Sequence, residues 1–161
     1  MTILRRFLVL AALFFWLGGF TFYVSVAVPV GTEVLGSAVR QGFITRQVTV
    51  WLNVAAVVGL AILAVELWPA RDPSAGRRWI GRGCWLFMAA CQGLLFWLHG
   101  RLDGMMRVRG LIVDDPETFY SVHRVYLWTH TLQWAAGVVV LLLLLVGWRN
   151  HDTLAGRINS P

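Results

Sequence analysis

The sequence predicts an all-α integral membrane protein, a single-domain four-helix bundle of up-down-up-down topology with both termini cytoplasmic. Three observations carry that expectation. Hydrophobic residues make up 58% of the 161 positions and charged residues 14%, against roughly 45–50% and about 25% in soluble domains. The apolar residues gather in four blocks, 7–30, 48–68, 79–99 and 119–148, each reaching the ~20 residues that cross about 30 Å of hydrocarbon. All 14 basic residues are arginines, and they sit at the ends of the blocks, where membrane proteins place them. A basic patch for nucleic acid would instead form one stripe with stacking aromatics, so nucleic acid is set aside as a partner and the lipid bilayer takes its place.

Span one covers 7–30, preceded by Arg5 and Arg6. Those arginines, the apolar run and Ser25-Val26-Ala27 also fit a signal peptide with a small-residue cleavage site. The run exceeds a usual signal core, so it is expected to remain a helix, bent near Pro29. Gly18-Gly19 reads as a close-packing notch for a neighbouring helix. Span two covers 48–68 and leads into Pro69-Ala70-Arg71-Asp72-Pro73-Ser74-Ala75-Gly76, a breaker cluster that forces a turn. Glu66, near that end, is expected to reach Arg77 or Arg78. Span three covers 79–99 and holds both cysteines, Cys84 and Cys91, too far apart along one helix face to bond each other. Before span four, Asp115-Pro116-Glu117 reads as an N-cap, a proline at the first helical position and a first-turn acid, so the helix starts near Pro116. At 1.5 Å per residue it rises about 48 Å to Trp148, longer than the bilayer. The two loops opposite the breaker turn are expected to be the longer ones.

Orientation follows from the arginines. Arg5, Arg6, Arg71, Arg77, Arg78, Arg82, Arg149 and Arg157 share one side with three acids, whereas Arg40, Arg46, Arg101, Arg107, Arg109 and Arg124 face five acids on the other. The positive-inside rule places the first side, and with it both termini, in the cytoplasm, as in a bacterial-type cytoplasmic membrane. Trp68, Trp79 and Trp148 mark one interface; Trp51, Trp97 and Trp128 mark the other.

Polar groups inside a bilayer are costly, and they are where function is sought. Counting helical rise from the inner tryptophans, Asn53 lies about 22 Å up, Gln92 about 20 Å and Gln133 about 22 Å. Tyr23 and Ser25 of span one fall at a comparable height, which predicts a polar layer in the outer third shared by all four helices. Two readings stand: a site, or interhelical hydrogen bonds that hold the bundle together. Higher still, His99 and His130 come to about 30 Å and 27 Å on helices of opposite direction, with His123 one face-repeat from His130. Facing imidazoles could hold a b-type haem axially. Copper is the competing use, with His99, His130, Met105 and Met106 as ligands, and neither cofactor is favoured. The charged outer loops, including Arg101, Asp103, Arg107, Asp114 and Arg124, are expected to form a salt-bridged cap. No phosphate-binding glycine loop, metalloprotease motif or nucleophile elbow is present. An enzyme is therefore the weaker class, and no catalytic residue is named. A non-enzymatic scaffold or subunit of a membrane complex, with protein partners or further copies of the chain in the membrane, is the leading reading. The cofactor proteins above and a small-molecule or metal transporter are the alternatives.

Phe15-Trp16-Leu17-Gly18-Gly19-Phe20 leading to Val28-Pro29, Asn53 in span two, and Phe119 with His123 at the start of span four together give a pattern. It resembles the transmembrane protein 205-like family of small four-span membrane proteins over most of the chain. Where that family is expected to carry a small residue and then an Asn, this chain has Arg124 and His130. The resemblance implies four spans and a role touching metals or small molecules, and it brings no catalytic residue.

Overall fold

The computed structural model describes residues 3–69, 72 and 74–158. Four helices are each long and apolar enough to cross a membrane: α1 Ile3–Leu35, α2 Ala38–Leu67, α3 Ala75–Gly104 and α4, whose candidate span is Pro116–Thr153 within a helix running to Ile158. Between α3 and α4 a short antiparallel hairpin pairs β1, Met106–Arg107, with β2, Ile112–Val113. Of the expected breaker turn, Ala70, Arg71 and Pro73 lie outside the described residues, as does the Arg157 side chain.

The helices outrun the apolar blocks because polar caps, not the edges of hydrophobicity, stop them. α1 continues to Leu35 and ends on Gly36, whose left-handed φ of 59° costs a glycine nothing. Ser37 then caps α2 by accepting the Arg40 N–H at 3.3 Å. The long loop expected between spans one and two is thus a tight turn, and α2 starts ten residues earlier than the apolar block. At the other turn Ser74 caps α3 through the Arg77 N–H, 3.4 Å. Asp72 accepts from the Ser74 N–H at 2.8 Å and pairs with the Arg77 guanidinium at 2.8 Å, which holds its carboxyl below the usual carboxylate range. α4 starts at Pro116 as expected, with the Asp115 carboxylate accepting the Thr118 N–H at 3.1 Å.

Within α1, residues 14–18 and 23–27 widen into π-helical turns. Pro29 follows directly, and its ring would crowd the carbonyl of Ser25 in a regular α-turn. The widened turn that contains Ser25 removes that conflict.

Consecutive helices pack on one another, α3 on α4 most extensively, and α4 also meets the first half of α1. That arrangement divides the bundle lengthwise. Toward the chain termini, one core joins all four helices: Val9, Leu13, Trp16 and Leu17 of α1 with Ala56, Leu60, Leu63, Met88, Val140 and Trp148. Toward the hairpin, the second core holds Leu95, Leu98, Leu102 and Tyr126, from α3 and α4 alone. There the second half of α1 packs on α2 and α3 packs on α4, and side chains such as Arg46 with Asp103 and Phe20 with His130 cross between the two pairs.

Glycines dock α1, but not those expected. A Cβ on Gly18 or Gly19 would meet nothing within 4 Å, so that pair is no packing notch. A Cβ on Gly59 would lie 2.7 Å from Trp16 Cε3, and one on Gly137 2.9 Å from Leu17 Cδ2. Those two notches, on α2 and α4, are filled by large side chains of α1; a third is on α1 itself, where a Cβ on Gly31 would collide with the Gln41 side chain of α2. Large hydrophobics such as Phe15, Trp51, Trp79, Phe96, Trp97 and Trp128 are exposed on the outside of the bundle, a surface suited to lipid. Trp148, expected at the interface, is instead 8% exposed and donates to Glu66 Oε1 at 3.2 Å.

Candidate functional site

The site starts from a polar ladder. Gln133 on α4, 1% exposed, donates through Nε2 to the Met88 carbonyl at 3.1 Å and to Gln92 Oε1 at 3.0 Å. Gln92 Nε2 donates to Asn53 Oδ1 at 3.0 Å, and Asn53 Nδ2 approaches the Tyr126 hydroxyl at 3.5 Å. A backbone carbonyl can only accept, so Met88 fixes the orientation of Gln133 and, through it, of each amide along the run. Thr49, one turn before Asn53 on the same face of α2, donates its hydroxyl to the carbonyls of Thr45 and Arg46. The equal depths expected for Asn53, Gln92 and Gln133 are realised as direct bonds joining α2, α3 and α4.

Span one joins this layer differently from expectation. Tyr23 donates to Thr45 Oγ1 at 2.9 Å, one helical turn from Thr49, and so reaches α2 without touching the amides. Ser25 is exposed and takes no part.

Beyond the ladder, toward the hairpin, a cavity of about 340 Å³ fills the gap between the two helix pairs. Its walls are mostly apolar and aromatic, and His99, His123 and His130 all line it. Each imidazole rests on an aromatic ring. His130 stacks on Phe20 at 5.0 Å and meets Tyr126 edge-on at 4.8 Å. His99 lies 6.5 Å from Tyr126, and His123 stacks on Phe119 at 5.8 Å. None of the three has a hydrogen-bond partner among the described residues, and His130 Nε2 is fully buried in that condition.

The histidines thus share one cavity, and His99 and His130 both pack against Tyr126. Among the described residues no group of three His, Cys, Asp or Glu side chains is placed to hold a metal ion. Met106 lines the cavity, whereas Met105 does not. Cys91 is buried and Cys84 half-buried, both as free thiols.

The charged lining residues are Arg46 and Asp103. They form a bidentate pair, Arg46 Nη2 to Asp103 Oδ2 at 2.9 Å and Arg46 Nε to Asp103 Oδ1, so each neutralises the other. Arg107 and Asp114 pair across the hairpin at 2.8 Å, and Arg101 lies over the Trp97 ring at 5.7 Å. The expected cap of charges is therefore realised as two ion pairs and a cation–π contact.

At the opposite end, Glu66 shares a pocket wall with Arg77 and Arg78, while its ion pair reaches across to α1. It is buried, 3.2 Å from Arg5 Nε, and accepts from Trp148, because the start of α1 packs beside the end of α2. Arg6 and Asp152 pair there at 2.6 Å.

Sequence reasoning missed Tyr126, Thr45, Thr49 and Gln41, all of which line the cavity. The signal was present: Gln41, Thr45, Thr49 and Asn53 recur every four residues, one polar stripe along a single helix face. It ran into a stretch expected to be loop. No known protein family, curated protein or solved structure matches this chain.

Proposed function

We propose that this protein is a non-enzymatic membrane-embedded binding protein whose cavity holds one small lipid-soluble molecule. One observation carries the reading: His99, His123 and His130 line a single apolar cavity without hydrogen-bond partners among the described residues. Polar side chains inside a membrane are expensive unless something satisfies them; the buried His130 Nε2, with half-buried His99 and His123 on the same wall, is accounted for by a ligand. The cavity volume sits at the small end of ligand pockets, which run from about 300 to 1,000 Å³. In this reading the bundle is up-down-up-down with cytoplasmic termini in a bacterial-type cytoplasmic membrane, and the cavity lies in the outer half. The resemblance to the transmembrane protein 205-like group implies four spans and adds no residue role.

The copper alternative has less behind it, since no group of three His, Cys, Asp or Glu side chains among the described residues is placed to hold a metal ion; the haem alternative keeps His99 and His130 on the cavity wall, each packed on Tyr126. The scaffold reading rests on outward tryptophans such as Trp51, Trp97 and Trp128, which anchoring at the interfaces also explains. The test is native mass spectrometry of the protein extracted in mild detergent. A stoichiometric small molecule should accompany the wild type and be lost from Gly42→Leu. Gly42 lines the cavity, and a Cβ there meets only Met106 Cε at 3.9 Å, so the added side chain fills space without disturbing a helix contact. A protein that carries no molecule, takes up none from added lipid extract and behaves like Gly42→Leu would overturn the reading. Topology is checked separately by labelling introduced cysteines in intact cells: positions near Gly110 should react with an impermeant reagent and positions near Ser74 should not.

A further inference from the structure

We infer that the ligand is a neutral ring compound with two separated carbonyl oxygens, a quinone. The inference rests on the ligand-binding reading above and adds the chemistry of the ligand. Charge is settled by Arg46 and Asp103, the charged residues in the wall, which are committed to each other in a bidentate pair. A charged ligand would have to enter a largely apolar space with no counter-ion.

Ring shape follows from the walls. Phe20, Phe119, Tyr120 and Tyr126 present aromatic surface to the cavity, and aromatic rings favour a flat partner.

The carbonyls follow from the histidines. A neutral imidazole carries one N–H donor and one acceptor nitrogen. His130 Nε2 is buried with no partner among the described residues, and His99 and His123 bring half-buried imidazoles to the same wall; an orphaned N–H is the costlier condition to leave, so the groups the ligand brings are acceptors. The amide ladder cannot supply them, because each of its members is engaged with another or with backbone. His99 stands on α3 and His123 on α4, and they rest on different aromatic residues, Tyr126 and Phe119, so acceptors at two places on one ligand can answer both. A quinone has carbonyl oxygens on opposite edges of one flat neutral ring, and its tail is soluble in the membrane.

The test uses the full chain in lipid nanodiscs with isotope-labelled histidine. There are four histidines, and His151, in the separate pocket at the other end of the bundle, serves as an internal reference. Decylubiquinone should shift the ring-nitrogen resonances of His99 and His123 and leave His151 unmoved, whereas decylbenzene should shift none. His99→Phe and His123→Phe keep an aromatic ring in place and should each weaken decylubiquinone binding roughly tenfold. If decylubiquinone and decylbenzene bind equally and the nitrogens stay still, the carbonyl inference falls while the cavity reading stands. If neither binds, and Gly42→Leu is indistinguishable from wild type, both fall.

Discussion

The most direct perturbation of the ladder is Gln133→Leu. Gln133 uses both amide hydrogens, one on the Met88 carbonyl at 3.1 Å and one on Gln92 Oε1 at 3.0 Å, in a site 1% exposed. Leucine has similar bulk, so little of the effect comes from a cavity. Side-chain hydrogen bonds between membrane helices average about 0.6 kcal/mol and reach about 1.7. Two such bonds, plus an acceptor on Gln92 left without its donor, give an expected loss of roughly 1–2 kcal/mol. Reversible unfolding in mixed micelles with increasing dodecyl sulfate, followed by circular dichroism, measures it. The sharper check is a double-mutant cycle with Gln92→Leu. The bond between the two glutamines is counted in both single variants, so the double variant should be less destabilised than their sum by about 0.6 kcal/mol. A cycle that closes with no coupling, or a Gln133→Leu protein as stable as wild type, would refute the ladder as a staple between α3 and α4.

The remaining expectations use the same unfolding assay. Gly59→Ala and Gly137→Ala drive a methyl into Trp16 and Leu17 at 2.7 and 2.9 Å and should each cost roughly 1–3 kcal/mol, whereas Gly18→Ala should be neutral or gain up to ~1 kcal/mol. Glu66→Ala strands Arg5 and the Trp148 indole; because the Arg5 side chain is 28% exposed, the loss should be about 2 kcal/mol, below the roughly 3–5 of a fully buried pair. The hydrogen bond from Arg77 holds Asp72 below its ordinary value, so its stabilisation is complete above the unfolded value of about 3.9 and is lost as pH falls through the lower folded one. Wild type should therefore exceed Asp72→Asn in stability at neutral pH, and the two should converge on acidification below about pH 4.

Much of this was legible in the chain. Helical rise is constant, so counting residues from tryptophan markers placed Asn53, Gln92 and Gln133 at one depth, and the structure bonds them. The start of α4 was legible because Asp115 and Pro116 carry their capping role locally. What failed depended on azimuth and on distant neighbours. Gly18 and Gly59 are equivalent by sequence, and only the packing of Trp16 tells them apart. Glu66 has Arg77 and Arg78 nearby in the chain, yet helix packing brings it Arg5, 61 residues away. Tyr126 passed as an apolar residue, although it precedes His130 by four and Gln133 by seven and so shares their face.

The polar residues inside this bundle divide by whether they are satisfied. Gln133, Gln92, Asn53 and Tyr126 form a continuous run in which each amide engages both its oxygen and its nitrogen or is anchored on backbone, and such a run stabilises without calling for a partner. His99, His123 and His130 sit one layer further toward the hairpin and make no hydrogen bond among the described residues. Both groups looked alike in the sequence, as polar residues at membrane depth. The difference arises because α1 docks into the glycine notches of α2 and α4 only over its first half, so the ladder is closed by helix packing while the histidine layer is left with a space. Filling that space should therefore separate the two roles. Gly42→Leu should abolish ligand uptake and leave the coupling between Gln133 and Gln92 unchanged, whereas Gln133→Leu should weaken the bundle and leave the histidine resonances sensitive to ligand. If Gly42→Leu erased the glutamine coupling, the ladder and the cavity would be one unit and this division would be wrong.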